Sequence, residues 1–147
     1  QIIELGGAMG VGSVCMLSSV YQDFKLFSIT LEEDNLEFCY VEKGKYLNFI
    51  PVIGNDLNLE DWPKELDLAK TDLFFFDTIH TEDQLRAELE LYKKFFKEGA
   101  YVLLDDMLIN ASMGSVYKDL KKIFPIKDMY SSTQLHWTEY VICEVGK

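Results

Sequence analysis

The stretch DLFFFDTIH, residues 72–80, runs through four apolar residues and stops on Asp77, with His80 three positions further on. A short unbroken apolar run bounded by polar residues reads as a strand buried on both faces, the kind found in sheets covered by helices on two sides. A second run, AYVLLDDM (100–107), ends on Asp105 and Asp106. Three more precede them: QIIEL (1–5), KLFSITL (25–31) and NFIPVIGN (48–55), with Pro51 weakening the early half of the last. Segments of helical character separate these runs: VCMLSSVYQDF (14–24), EEDNLEFCYVEKGKYL (32–47), EDWPKELDLA (60–69), TEDQLRAELELYKKFF (81–96) and SMGSVYKDLKKIF (112–124). In the fourth, Thr81 is placed to cap the helix, Glu82 and Asp83 occupy its first turn, and Gly99 stops it. The closing stretch, KDMYSSTQLHWTEYVICEV (127–145), lacks a helical period and predicts two strands joined by a hairpin-like turn. Alternating strands and helices predict an α/β fold around a mostly parallel seven-stranded sheet, with a C-terminal antiparallel pair. EYVICEV is one candidate for an exposed edge on which a second copy could pair as a homo-oligomer.

At 147 residues the chain has room for one domain and one core. Its 14 basic and 25 acidic residues give a formal charge of −11, which opposes binding to nucleic acid and to anionic membrane surfaces. Cys15, Cys39 and Cys143 are widely spaced and form no CxxC, so neither a disulfide framework nor a zinc site is expected. Apolar neighbours around each predict small core residues in a reducing, cytoplasmic setting. No apolar run approaches the ~18 residues of a membrane span, and no signal-peptide pattern is present. The chain opens on Gln1 directly inside a strand-like run, so an upstream piece of the natural chain is expected.

In open α/β sheets, ligands bind beyond the carboxyl ends of the strands. That rule gathers Glu4, Thr30, Glu32, Asn55, Asp56, Asp77, His80, Asp105 and Asp106 along one rim, beside the glycine turn of residues 6–12. Any one of them could simply cap a helix. Asp77, Asp105 and Asp106 together, however, place three carboxylates on neighbouring strands, where they repel and raise one another's pKa values. A divalent cation that favours oxygen ligands, magnesium or calcium, relieves such repulsion. The glycine turn has two readings. Gly6, Gly10 and Gly12 fit GxxxGxG, which, with the YxxxK of Tyr117 and Lys121, resembles short-chain dehydrogenases. Tyr117 also fits an ordinary amphipathic helix. Glu4, Gly6 and Gly10 fit E-x-G-x-x-x-G, which resembles motif I of class I S-adenosylmethionine-dependent methyltransferases.

The segment DLFFFDTIHTEDQLRAELELYKKFFKEGAYVLLDDM favours the second reading. It resembles the motif IV to motif V region of the metal-dependent small-molecule O-methyltransferases. That branch comprises methyltransferase family 24, the cephalosporin-hydroxylase-like group, macrolide and sugar O-methyltransferases and, more distantly, catechol O-methyltransferase. Members carry a strand-end Asp, often in D-G-x-H, then a helix, a KPGG-like turn and a strand ending in two acids. Asp77, His80, the turn at 97–100 and Asp105–Asp106 stand in those places.

The resemblance implies a Rossmann-like, doubly wound fold, S-adenosylmethionine as cofactor, assisting magnesium and a small hydroxylated acceptor such as a sugar or polyketide-like molecule. It implies Glu4, Gly6, Gly10 and Ser13 at the methionine part of the cofactor and Asn55 and Asp56 at the adenine edge. It places Asp77, Asp105 and Asp106 at the metal and His80 as general base, the role that imidazole chemistry suits near neutral pH. A lid segment before the first strand is also implied and is not in this sequence. Two departures stand out. Thr30 replaces the usual ribose-binding acid, leaving Glu32 as the nearest substitute, and Thr78–Ile79 replaces a glycine and a small or polar residue. Both support an alternative, a degenerate non-catalytic domain that binds a ligand or protein partner; the intact Asp77, Asp105 and Asp106 oppose it.

Overall fold

The computed structural model describes residues 1–19, 23–31, 37–42, 44–132 and 139–147. Seven strands form one sheet: β1 (Ile2–Leu5), β2 (Leu26–Thr30), β3 (Phe49–Ile53), β4 (Leu73–Phe76), β5 (Tyr101–Leu104), β6 (Ile126–Ser132) and β7 (Tyr140–Val145). Their order is β3-β2-β1-β4-β5-β7-β6. The first five strands are parallel, and β7 runs antiparallel between β5 and β6. The expected α/β architecture with its antiparallel C-terminal pair is therefore formed, and it is Rossmann-like. Pro51 sits in β3, an edge strand paired only with β2, where a missing N–H is tolerated.

The helices are α1 (Val11–Leu17), α2 (Glu82–Tyr92) and α3 (Ala111–Ile123). Thr81 caps α2 as expected, and Asn110 caps α3 by accepting from Met113 N–H at 2.9 Å. Alternate residues of the strands explain the double apolar coverage. Ile3, Leu5, Phe74, Phe76, Val102 and Leu104 join the main core with Leu85 and Leu89 of α2 and Val116 and Leu120 of α3. Leu26 instead joins Leu17 of α1, Phe38 and Val41 in a second cluster. Tyr117 lies on α3, packed against the main core, as the amphipathic reading requires.

Four expectations need correction. The helix expected over 32–47 is absent from its described part, residues 37–42 and 44–47, which forms turns. Here Phe38 N–H donates to Ala8 O and Tyr40 N–H to Met9 O, and Phe38 adopts φ +52°, so bonding to the glycine turn replaces a helical ladder. The segment 60–69 forms two single 3₁₀ turns, Leu59–Asp61 and Leu68–Lys70. The Asn58 and Asp67 side chains cap them, and Pro63 lies between. EYVICEV is not an edge, because β6 covers β7. Finally, Cys143 is buried, but Cys15 and Cys39 are exposed: apolar neighbours in sequence did not make them core residues. Among the described residues no helix is long and apolar enough to cross a membrane.

Candidate active site

The strand order reverses at β1, which pairs with β2 on one side and β4 on the other. Ligand sites of such sheets form at this switch point. Gly6 follows β1 with φ +88°, and a Cβ there would lie 1.9 Å from the Asp77 carbonyl oxygen at the end of β4. Only glycine permits both that conformation and that approach. Gly6 and Gly7 N–H both donate to Ile29 O at 3.0 Å, and Ala8 N–H donates to Thr30 Oγ1 at 3.0 Å. Thr30 thus ties the glycine turn to β2.

Beneath the turn, Glu4 is buried and accepts hydrogen bonds from the Ser13 and Ser28 hydroxyls. Burial raises its pKa, and the two serine bonds work against the rise. Gly10, at φ +90°, opens α1. Glu4, Gly10 and Ser13 therefore support the turn from below and are not among the residues lining the adjacent cavity.

That cavity measures about 530 Å³, and Gly6, Thr30, Asn55, Asp56 and Asp77 all line it. Glu32 lies outside the described residues; Glu37 lines the cavity and was not singled out from the sequence. Asn55 shapes its own loop, its Oδ1 accepting from Leu57 N–H and its N–H donating to Asp61. Asp56 is held from α2. Tyr92 Oη donates to Asp56 O at 2.6 Å, while Gln84 Nε2 donates to the Asp56 carboxylate at 3.2 Å and to Glu88 Oε1 at 2.7 Å. Thr78 Oγ1 also donates to Glu88 Oε1, at 2.6 Å. Glu88 is fully buried, and burial together with the neighbouring Asp56 pushes its pKa up to about 9.

Asp77 borders both this cavity and an acidic cluster. Asp77, His80 and Asp105 each offer a ligand atom, all within 4.8 Å of one another. His80 Nε2 lies 3.5 Å from Asp77 Oδ1 and 3.4 Å from Asp106 Oδ2. Asp106, at φ +52°, donates its N–H to Asp105 Oδ1, and Asn110 Nδ2 donates to His80 O from the start of α3. Burial, then the adjacent Asp105, then Glu4 and Asp106 push the Asp77 pKa up to about 7. Tyr140 feels the same negative field; burial first and these carboxylates second raise its phenol. Ile79, Leu108 and Ile109 flank the acids in sequence and are solvent-exposed, Ile79 by 65%.

These features define a Rossmann-like α/β domain with a cavity at the switch point and a carboxylate cluster at its border. A methyltransferase domain model matches residues 3–107, from β1 through Asp106, and the chain belongs to that family. No curated protein sequence matches it. Solved structures do. Aeropyrum pernix fibrillarin with natively bound S-adenosylmethionine is 16% identical with a TM-score of 0.70, over 97% of this chain and 65% of that one. A provisionally assigned caffeoyl-CoA O-methyltransferase from Staphylococcus aureus is 17% identical at 0.69, over 99% of this chain and 75% of that one. The MycE methyltransferase of the mycinamycin pathway, in complex with Mg and S-adenosylhomocysteine, is 12% identical at 0.66, over 99% and 45%. The chain thus spans 65% of the fibrillarin and less than half of MycE.

Proposed function

We propose that this domain transfers a methyl group from S-adenosylmethionine to a hydroxyl of a small molecule, with magnesium at the acidic cluster. One observation carries the reading: Asp77 both lines the switch-point cavity and belongs to the cluster, so donor and acceptor sites abut. The family match, the S-adenosylmethionine in the fibrillarin and the Mg in MycE support it.

The residues suit both groups. The glycine turn and the end of β4 meet closely, and Gly6 and Asp77 both line the cavity. The cluster offers two carboxylates and an imidazole at ligand spacing, and a cation would neutralise the negative charge that, after burial, pushes the Asp77 pKa up. Asp77 and Asp105 would hold the metal, with Asp106 completing the carboxylate set. When bound, S-adenosylmethionine supplies an electrophilic methyl group and magnesium supplies Lewis acidity to a hydroxyl.

The chain's own residues do the rest. Asn55 and Asp56 would hold the adenine edge, and Glu37, which also lines the cavity, would face the ribose. His80 Nε2, 3.5 Å from Asp77 Oδ1 and 3.4 Å from Asp106 Oδ2, is placed to take the acceptor's proton. Methyl transfer is an in-line displacement, so fixing both reactants on one rigid sheet edge supplies much of the acceleration. Exposed Ile79, Leu108 and Ile109 favour an acceptor with an apolar body around its hydroxyl.

Calorimetric titration with S-adenosylmethionine, in magnesium and again in EDTA, tests this reading. Binding in both conditions, with a magnesium heat that disappears in Asp105→Ala, is expected. A folded sample that binds no S-adenosylmethionine would move the assignment to a non-catalytic member of the family.

A further inference from the structure

His80 stands in the loop between β4 and α2, three residues after Asp77, and its backbone is fixed from two sides. Asn110 Nδ2 donates to its carbonyl from the start of α3, and Thr81 N–H closes the turn around it on Ile79 O at 2.8 Å. The imidazole Nε2 so placed is buried and makes no hydrogen bond. We propose that this nitrogen sorts the divalent ions of the carboxylate cluster. A borderline transition ion, such as cobalt or zinc, takes it as a third ligand beside Asp77 and Asp105, whereas magnesium leaves it free. The proposal rests on the cluster being the metal site of the proposed methyltransferase, and it names the ions that site prefers.

Nε2 lies 3.5 Å from Asp77 Oδ1 and 3.4 Å from Asp106 Oδ2. Both separations are longer than an ordinary N–H···O bond. They match instead the gap between two ligands of one ion. Bonds of about 2.1 Å, meeting at octahedral or tetrahedral angles, set their ligand atoms roughly 3.0–3.4 Å apart. Asp105 offers a further oxygen, and the ligand atoms of Asp77, His80 and Asp105 all lie within 4.8 Å of one another. The side chains of His80 and Asp77 keep 28% and 30% exposure, so an ion has a way in.

The ion's own preference does the sorting. Imidazole nitrogen suits cobalt, nickel, copper and zinc, whereas magnesium takes oxygen ligands and gives up its water reluctantly. Magnesium is therefore held by carboxylates and its own waters, with Nε2 outside its ligand set and open to an acceptor's proton. A transition ion gains a ligand and binds more tightly, but it occupies the lone pair that the base needs. The two roles of Nε2 exclude each other, so the ion that binds best would silence proton transfer.

Calorimetric titration with cobalt(II) and, separately, with magnesium tests this without S-adenosylmethionine or an acceptor, read together with the visible spectrum of the cobalt form. Wild type should bind cobalt more tightly than magnesium and show d–d bands, without the near-ultraviolet thiolate band that exposed Cys15 or Cys39 would give. His80→Ala should weaken cobalt at least about tenfold, since even the outer-shell partner of a ligand is worth that much, and leave magnesium unchanged. His80→Phe, which keeps an aromatic ring but no nitrogen, should do the same and decides the matter if the alanine variant does not fold. Asp105→Ala should weaken both ions. No preference for cobalt in wild type, cobalt affinity kept in His80→Phe, an equal loss for both ions, or a thiolate band overturns the inference and leaves the magnesium reading intact. Binding of cobalt alone, lost in His80→Phe, keeps the inference and removes magnesium from the proposed function. A wild type that binds neither ion overturns both.

Discussion

Glu88 and Asp77 are both acids raised by burial, yet different things would relieve them: a proton for Glu88, a cation for Asp77. For Glu88 the sign of the resulting pH dependence can be worked out. Below its ordinary value of 4.5 the group is protonated in both folded and unfolded chains. From 4.5 to about 9 the unfolded chain releases a proton that the native state keeps, so stability falls as pH rises and levels off above about 9. Asp56 and Tyr92, which also face Glu88, are present in wild type and variant alike. Glu88→Gln should therefore gain on wild type between pH 5 and 9, by on the order of a few kcal/mol, in urea denaturation at a series of pH values. A constant difference across that range would place the proton elsewhere. A signal for Glu88 was present in the sequence: Leu85, Leu89 and Tyr92 form the buried stripe of α2, and Glu88 interrupts it. An acid within an apolar stripe reads as a buried acid. Glu37 carried no such mark, because the acidic run at 32–34 offered nearer candidates and the path of this loop is set by tertiary bonds.

At the scale of elements, legibility followed the source of each element's stability. Strands β1, β2, β4 and β5 and helix α2 were visible because side-chain pattern and capping chemistry are local. The turns within 37–42 and 44–47 were not, since Phe38 and Tyr40 bond to the glycine turn, roughly thirty residues away. The acidic ends of β4 and β5 met in space because parallel strands place their carboxyl ends on one edge, which the sequence rule anticipated. The clamp from α2 onto the Asp56 loop could not be foreseen, since nothing in either segment names the other. It yields a prediction of its own. Tyr92 Oη accepts from Trp62 Nε1 at 2.7 Å and donates to Asp56 O at 2.6 Å, wholly inside the protein. Tyr92→Phe leaves a buried donor and acceptor unpaired and should cost about 2–4 kcal/mol in chemical denaturation. It should also weaken S-adenosylhomocysteine binding, as the loop bearing Asp56 loses an anchor. A stability loss with unchanged affinity would show that the clamp does not reach the cavity.

Across the whole molecule, charge bears on whether nucleic acid could be the acceptor of the proposed activity. Binding RNA depends on cations free to neutralise phosphates. This chain carries −11, and many of its 14 basic residues are already engaged. Arg86 is bound to Glu82 and Asp119, Lys122 to Asp119, Lys127 to Glu144, Lys97 to Asp72 and Lys93 to Glu90. Around the cavity the carboxylates Glu37, Asp56 and Asp77 would repel a phosphate backbone while tolerating a neutral hydroxylated molecule. Fluorescence anisotropy with labelled single-stranded and duplex RNA should show no association even at about 50 mM salt, where electrostatic binding is strong. S-adenosylhomocysteine titration should be unchanged by excess RNA in the same buffer. Salt-sensitive RNA binding would mean that a local basic surface outweighs the net charge, and it would turn the search for the methyl acceptor from small hydroxylated molecules to nucleic acid.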